Sequence, residues 1–140
     1  MTSVKYIIAN ESPTVDEFVE LRRRVGWGET DVLMAKSSLA NSLFHVVVRL
    51  EGRLIAMGRV IGDGAMYFYI QDVVVSPEYQ NQGLGNLLMD RIEAYLSIAA
   101  VKGATIGLLA AKGKEGFYRR FGYNLRPNEQ LLGHGMCKFI

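Results

Sequence analysis

The sequence predicts an α+β fold, with one central mixed sheet, mostly antiparallel, and helices on both of its faces. Three observations lead to it. Helix-period apolar residues behind capping signals precede residue 40. β-branched runs broken by glycine-containing turns fill residues 44–75. A long amphipathic pattern then separates the last of those runs from another apolar run at 105–109. A strand–helix–strand unit inside an otherwise antiparallel meander makes the sheet mixed and places helices on both sides of it.

Residues 4–8 form a short β-branched run and the expected first strand. Thr14-Val15-Asp16-Glu17 has the form of a capping box, with the hydroxyl at the cap and a carboxylate three residues on. The helix that follows should carry Phe18, Leu21 and Val25 on one face and stop at Gly26-Trp27-Gly28. Thr30 or Asp31 can cap a second short helix running through Leu39. Residues 44–50 and 53–61 read as strands joined by the Glu51-Gly52 turn. Gly62-Asp63-Gly64 is the next turn, residues 66–75 the third strand of the meander, and Pro77 its stop. Leu87, Leu88, Ile92, Tyr95, Leu96 and Ala99 mark a long helix ended by Gly103. Residues 105–109 form a buried strand, 115–120 a short helix closed by Gly122, and 131–140 should hold at least one further strand.

Composition narrows the function classes. The 140 residues suit a single domain, 1–140, with no repeat or linker to divide it. A formal charge of +2, with basic residues in no long block, gives no footprint for nucleic acid. Cys137 is the only cysteine, which excludes an intramolecular disulfide and argues against a zinc cluster. His45 and His134 have no metal-ligand partner at short spacing and read as structural. The N-terminus shows no secretory pattern, and no apolar run approaches the roughly 20 residues of a membrane span. The expectation is a cytoplasmic protein without a nucleic-acid or membrane partner.

The chemistry concentrates where strand Asp72-Val73-Val74-Val75 runs through Ser76-Pro77-Glu78-Tyr79 and Gln80-Asn81-Gln82-Gly83-Leu84-Gly85 into the long helix. A helix start leaves about four amide N–H groups unpaired and carries roughly half a positive charge, which suits an anion. Gly83 and Gly85 remove Cβ atoms, so backbone can approach an anion and take φ > 0. Gln80 and Gln82 add side-chain amides. A Gly-x-Gly pair alone is a weak signal. The Walker form fails because no Gly-Lys-Ser/Thr follows, and the dinucleotide form fails because no third glycine is in register.

The whole segment resembles motif A of the GNAT superfamily, the Gcn5-related N-acetyltransferases, whose signature is Gln/Arg-x-x-Gly-x-Gly/Ala between a strand and a long helix. A second match follows it: Gly116-Phe117-Tyr118-Arg119-Arg120-Phe121-Gly122-Tyr123 is similar to the family's Phe-Tyr-x-x-x-Gly-Phe pattern, with Tyr123 for the final Phe. The element order agrees with the family's along nearly the whole chain. The resemblance implies a GNAT-like sheet splayed between strands 4 and 5, and acetyl-CoA as cofactor with no metal. It places the pyrophosphate on the amides of Gln82, Gly83, Leu84, Gly85 and Asn86, with Gln80 nearby. It sets the pantetheine arm along Val73, Val74 and Val75. The family's Asn after the fifth strand is absent, since Ala110-Ala111-Lys112-Gly113-Lys114 stands there.

The implied reaction is direct attack of a neutral amine on the thioester. Tyr118 matches the family's thiolate-facing tyrosine and is the expected general acid, against the alternative that it only packs on the cofactor or in the core. Asp72, just before the valines, reads equally as a general base and as a structural carboxylate. Around the acceptor the resemblance points to the region of the first two helices, with Arg22 and Trp27, Trp27 either walling a pocket or pinning the core. Tyr69, on the strand face shared with Tyr67 and Gln71, is a further contact. A small-molecule amine is the first acceptor class. A protein amine, or a non-catalytic acyl-CoA-binding module, is the alternative, and the family allows a homodimer.

Overall fold

The computed structural model describes residues 5–131 and 133–140. The chain forms two compact units, one up to Ile106 and one from Gly107. Along the chain lie β1 (Ile7–Ala9), α1 (Val15–Arg24), α2 (Val32–Ala40), β2 (Phe44–Leu50), β3 (Arg53–Gly62), β4 (Tyr67–Val75), α3 (Leu84–Ala99), β5 (Thr105–Leu108) and α4 (Glu115–Arg119). The strands form one sheet in the order β1-β2-β3-β4-β5, antiparallel throughout except for the parallel pair β4–β5 that the α3 crossover requires. The predicted α+β class and the helix and meander assignments hold. Val4, where the first strand was expected to start, lies outside the described residues.

Local chemistry accounts for the helix starts. The Glu17 amide donates to Thr14 Oγ1 at 3.2 Å while the Thr14 amide donates to Glu17 Oε2 at 2.7 Å, a closed capping box. Of the two candidate caps for α2, Asp31 takes the role, its Oδ2 accepting from the Met34 amide at 2.9 Å. Strand alternation then sorts the two layers. Val47, Leu54 and Met57 pack with Phe18, Leu21 and Leu39 of α1 and α2. The opposite face meets α3, where Gly58 is so close that an added Cβ would stand 3.0 Å from Ile92 Cδ1. Phe68 and Ile70 are buried in β4, and the Phe68 ring meets Tyr95 of α3 edge-on at 6.5 Å. Burying each such side chain contributes roughly 1.5–3 kcal/mol, enough to hold α1, α2 and α3 against the sheet.

One register fault positions the site. Met57 pairs with Val74 and Arg59 with Gln71, so Asp72 and Val73 together oppose Gly58. This is a β-bulge, and Asp72 takes φ +55°, the left-handed region that Asp and Asn tolerate better than most residues.

The tail departs from expectation. Among the described residues of 131–140 no strand forms, and Cys137 is exposed. Gly133 and Gly135 interrupt this segment, and glycine in a strand interior adds backbone entropy without a side chain to pack. No helix among the described residues is long and apolar enough to cross a membrane.

Candidate active site

The loop from β4 to α3 ends in a glycine-opened helix start. Gly83 is the N-cap of α3 at φ +82°, with no side-chain hydrogen bond at the cap. The first amides of the helix therefore depend on something other than a capping side chain. An added Cβ at Gly83 would meet nothing within 4 Å, so the requirement for glycine comes from φ and from the open space beside it. Leu84 is buried, which anchors the helix start in the core and fixes the direction of its amides. Gly85 lies in the first turn of α3, so the expectation that it takes φ > 0 is corrected: its backbone is helical.

The two glutamines are already engaged. Gln80 Nε2 donates to the Val75 carbonyl at 3.0 Å, and the Tyr6 hydroxyl donates to Gln82 Oε1. The first bond holds the loop to the end of β4 and the second to the residue before β1, rather than leaving the side-chain amides wholly to a ligand. Asn86 follows within α3.

At the bulge, Asp72 is buried with its side chain 1% exposed, and both oxygens are occupied. Arg22 Nη1 donates to Oδ1 at 2.7 Å, Arg59 Nε to Oδ2 at 2.8 Å, and Gln71 Nε2 to Oδ1 at 3.3 Å. Arg22 is held further by Nε to Thr30 Oγ1 at 3.0 Å, and Arg59 by Nη1 to the Ser38 carbonyl and Ser42 Oγ. The Phe18 ring lies 5.6 Å from each guanidinium, and Trp27 stacks 5.2 Å from that of Arg22. Arg22, Trp27 and Asp72, predicted separately, thus form one cluster. Of the two readings of Asp72, this geometry favours the structural one, because a base needs a lone pair turned to the substrate. Trp27 is 39% exposed, so it is not a core residue. Tyr69 pairs with Ile61 in the ladder and is half-buried.

Arg59 was missed by sequence reasoning. A single arginine between Gly58 and Val60 in an apolar strand was the available signal, since a cation there must find a buried partner. His45 sits across β2–β3 from Arg59 and contacts the Leu39 carbonyl through Nε2 at 3.0 Å. Burial pushes its pKa down and the Arg59 charge adds to this, so the ring is neutral at pH 7 and Nε2 carries the proton. These contacts agree with a structural histidine.

In the second unit, Tyr118 lies on α4, with Phe117 edge-on at 5.0 Å and Phe121 beyond it. Burial pushes the phenol pKa up, so Tyr118 Oη keeps its proton at neutral pH. Among the described residues no group of His, Cys, Asp or Glu is placed to hold a metal.

A glycine-opened helix start following a bulged strand, on a mixed sheet of this order, defines an α+β protein with the acetyltransferase fold. A family model described as an acetyltransferase (GNAT) domain matches residues 41–125, and the chain belongs to that family. It is 33% identical over 115 residues to an uncharacterized ycf52-like N-acetyltransferase of Prochlorococcus marinus, covering 79% of this chain and 63% of that protein. It is 39% identical over 77 residues to the chloroplastic serotonin N-acetyltransferase 2 of Oryza sativa, covering 55% of this chain and 38% of that protein. Among solved structures, a probable acetyltransferase of unknown function from meticillin-resistant Staphylococcus aureus superposes with a TM-score of 0.87 at 31% identity. The match covers 96% of this chain and all of that one.

Proposed function

We propose that the protein transfers the acetyl group of acetyl-CoA to the primary amine of a small molecule by direct attack, with Tyr118 as general acid. The observation that carries the reading is the α3 N-terminus, opened by Gly83 in the left-handed region and lacking a side-chain cap at that residue. Amides so placed fit a diphosphate, and the open space where a Cβ would stand leaves room for it. The backbone of residues 82–86 would hold the pyrophosphate, and Val73, Val74 and Val75 would flank the pantetheine arm beside the bulge. Bound acetyl-CoA supplies the activated acetyl thioester.

The chain's own residues then have distinct tasks. Tyr118 Oη holds a proton at neutral pH, the state required of a donor to a departing sulfur, whose reference pKa lies near 8.5. Asp72 fixes Arg22 and Arg59 at the edge of the acceptor region rather than removing a proton itself. Trp27 and Tyr69 border that region.

The test has three parts. Acetyl-CoA should raise the melting temperature, by about 2.7 kcal/mol of stabilisation at one hundred times Kd; no shift at saturation counts against the cradle. An amine panel that includes lysine peptides, read by thiol release, should show turnover on a small amine. Tyr118→Phe should lower kcat by roughly 10²–10⁴ with the acetyl-CoA thermal shift intact; an unchanged kcat removes the acid role. Turnover confined to the peptides would transfer the acceptor class to proteins.

A further inference from the structure

We infer that the acceptor carries an anionic group, a carboxylate in the simplest case, and that Arg22 binds it. The inference rests on the proposed acetyl transfer and names the substrate class at that same site. The cluster at the bulge holds two guanidinium groups, those of Arg22 and Arg59, on the single carboxylate of Asp72. It therefore keeps one positive charge in excess. Nearby carboxylates do not cancel it: Glu29 is committed to Arg23 at 2.7 Å on the outer surface, and Asp31 to the Met34 amide. His45 is neutral and donates to Leu39, so it neither adds to nor removes that charge.

The cluster also has donors to spare. Arg22 uses Nε on Thr30 and Nη1 on Asp72, and Arg59 uses Nε on Asp72 and Nη1 on Ser38 and Ser42. The Nη2 group of each is without a protein partner among the described residues. Neither Nη2 is among the fully buried unpartnered side-chain atoms, so each is open to water and available to an anion. Arg22 is the reachable member, its side chain 24% exposed and its plane fixed between Phe18 and Trp27. A guanidinium immobilised in this way binds a carboxylate without losing further rotamer freedom.

Position ties the cluster to the chemistry. Asp72 directly precedes Val73 at the bulge, the backbone expected to flank the pantetheine arm. An anion on Arg22 would therefore lie near the amine that attacks. An amino acid, with its carboxylate close to its amine, meets this condition, and the exposed ring of Trp27 suits an apolar or aromatic side chain on it.

The experiment compares L-phenylalanine with 2-phenylethylamine, which differ by the carboxylate, in an acetyl-CoA thiol-release assay on the full chain and on Arg22→Gln. The expected kcat/KM ratio favours L-phenylalanine by about tenfold or more, as for a charge-assisted hydrogen bond. Arg22→Gln should bring that ratio close to one while the acetyl-CoA thermal shift persists. A ratio at or below one in the native protein overturns the anion subsite and leaves acetyl transfer standing, and so does a ratio the variant does not change. Absence of transfer to both amines, together with no acetyl-CoA thermal shift, overturns the proposed function and the subsite with it.

Discussion

Replacing Asp72 by Asn separates the two readings of that residue. Asn fits the same space and tolerates the left-handed backbone about as well as Asp, so the φ of +55° is not the variable. What changes is charge: two guanidiniums lose their shared carboxylate. Breaking a fully buried ion pair costs about 3–5 kcal/mol, because the remaining charge stays desolvated. Arg59, at 10% exposure, would bear most of that, while Arg22, at 24%, recovers part of its hydration. The lower end, about 3 kcal/mol, is the appropriate figure. With the usual unfolding entropy per residue, that corresponds to a fall in melting temperature on the order of 10 °C for a chain of this length. The assay is thermal or urea unfolding of the Asp72→Asn variant at neutral pH, beside its acetyl-transfer pH profile. A variant melting within about 2 °C of the native protein, with turnover abolished, would refute the anchoring argument and return Asp72 to the role of base.

The remaining expectations concern the scaffold. Burial pushes the Glu17 pKa up, but the hydrogen bonds from Arg49 and from the Thr14 amide outweigh it and hold the carboxyl below its ordinary 4.5. Glu17 therefore stabilises the fold fully above that value and progressively less as pH falls through its folded pKa. Glu17→Gln, which can keep much of the cap but not the ion pair, should cost about 1 kcal/mol at pH 7, and the deficit should vanish in urea melts taken below the folded pKa. Gly58→Ala pushes a Cβ to 3.0 Å from Ile92 Cδ1 and 3.4 Å from Val73 Cγ2, for a cost of about 1–3 kcal/mol. Ile92→Val removes the atom struck and should recover most of that in the double variant; additive losses would place the strain in the backbone instead.

Local signals in the sequence were dependable where the cause was local. Thr14 and Glu17 close a capping box, Asp31 caps α2, and the turns at Glu51-Gly52 and Gly62-Asp63-Gly64 set the meander, because each depends on residues a few positions apart. The strand expected in residues 131–140 had no such support, only apolar letters around Gly133 and Gly135. In the site, the glycine-opened helix start was legible for the same local reason. The bulge was not, since it is a mismatch of register between β3 and β4 and belongs to neither strand alone. Nor was the pairing of Arg22 with Asp72, fifty residues apart. A carboxylate heading a run of valines announces a buried charge, and an arginine inside β3 announces its counterpart, but only the folded sheet joins them.

The bulge and the ion cluster are one device. Holding a non-glycine residue at φ +55° costs roughly 1–2 kcal/mol, and in an isolated strand that cost would favour slipping back into regular register. Regular register would turn Asp72 to the other face of the sheet, because side chains alternate with a period of two. There it would meet α3, whose facing residues Leu88, Ile92 and Leu96 are all buried and apolar. The bulge instead delivers the carboxylate to Arg22 and Arg59, and the two ion pairs offset the backbone strain. The same two-for-one step at Asp72 and Val73 re-aims the end of β4 that leads to the α3 start. The residue that gathers the two guanidiniums therefore also sets the strand geometry beyond the bulge, and a change at Asp72 should disturb both together.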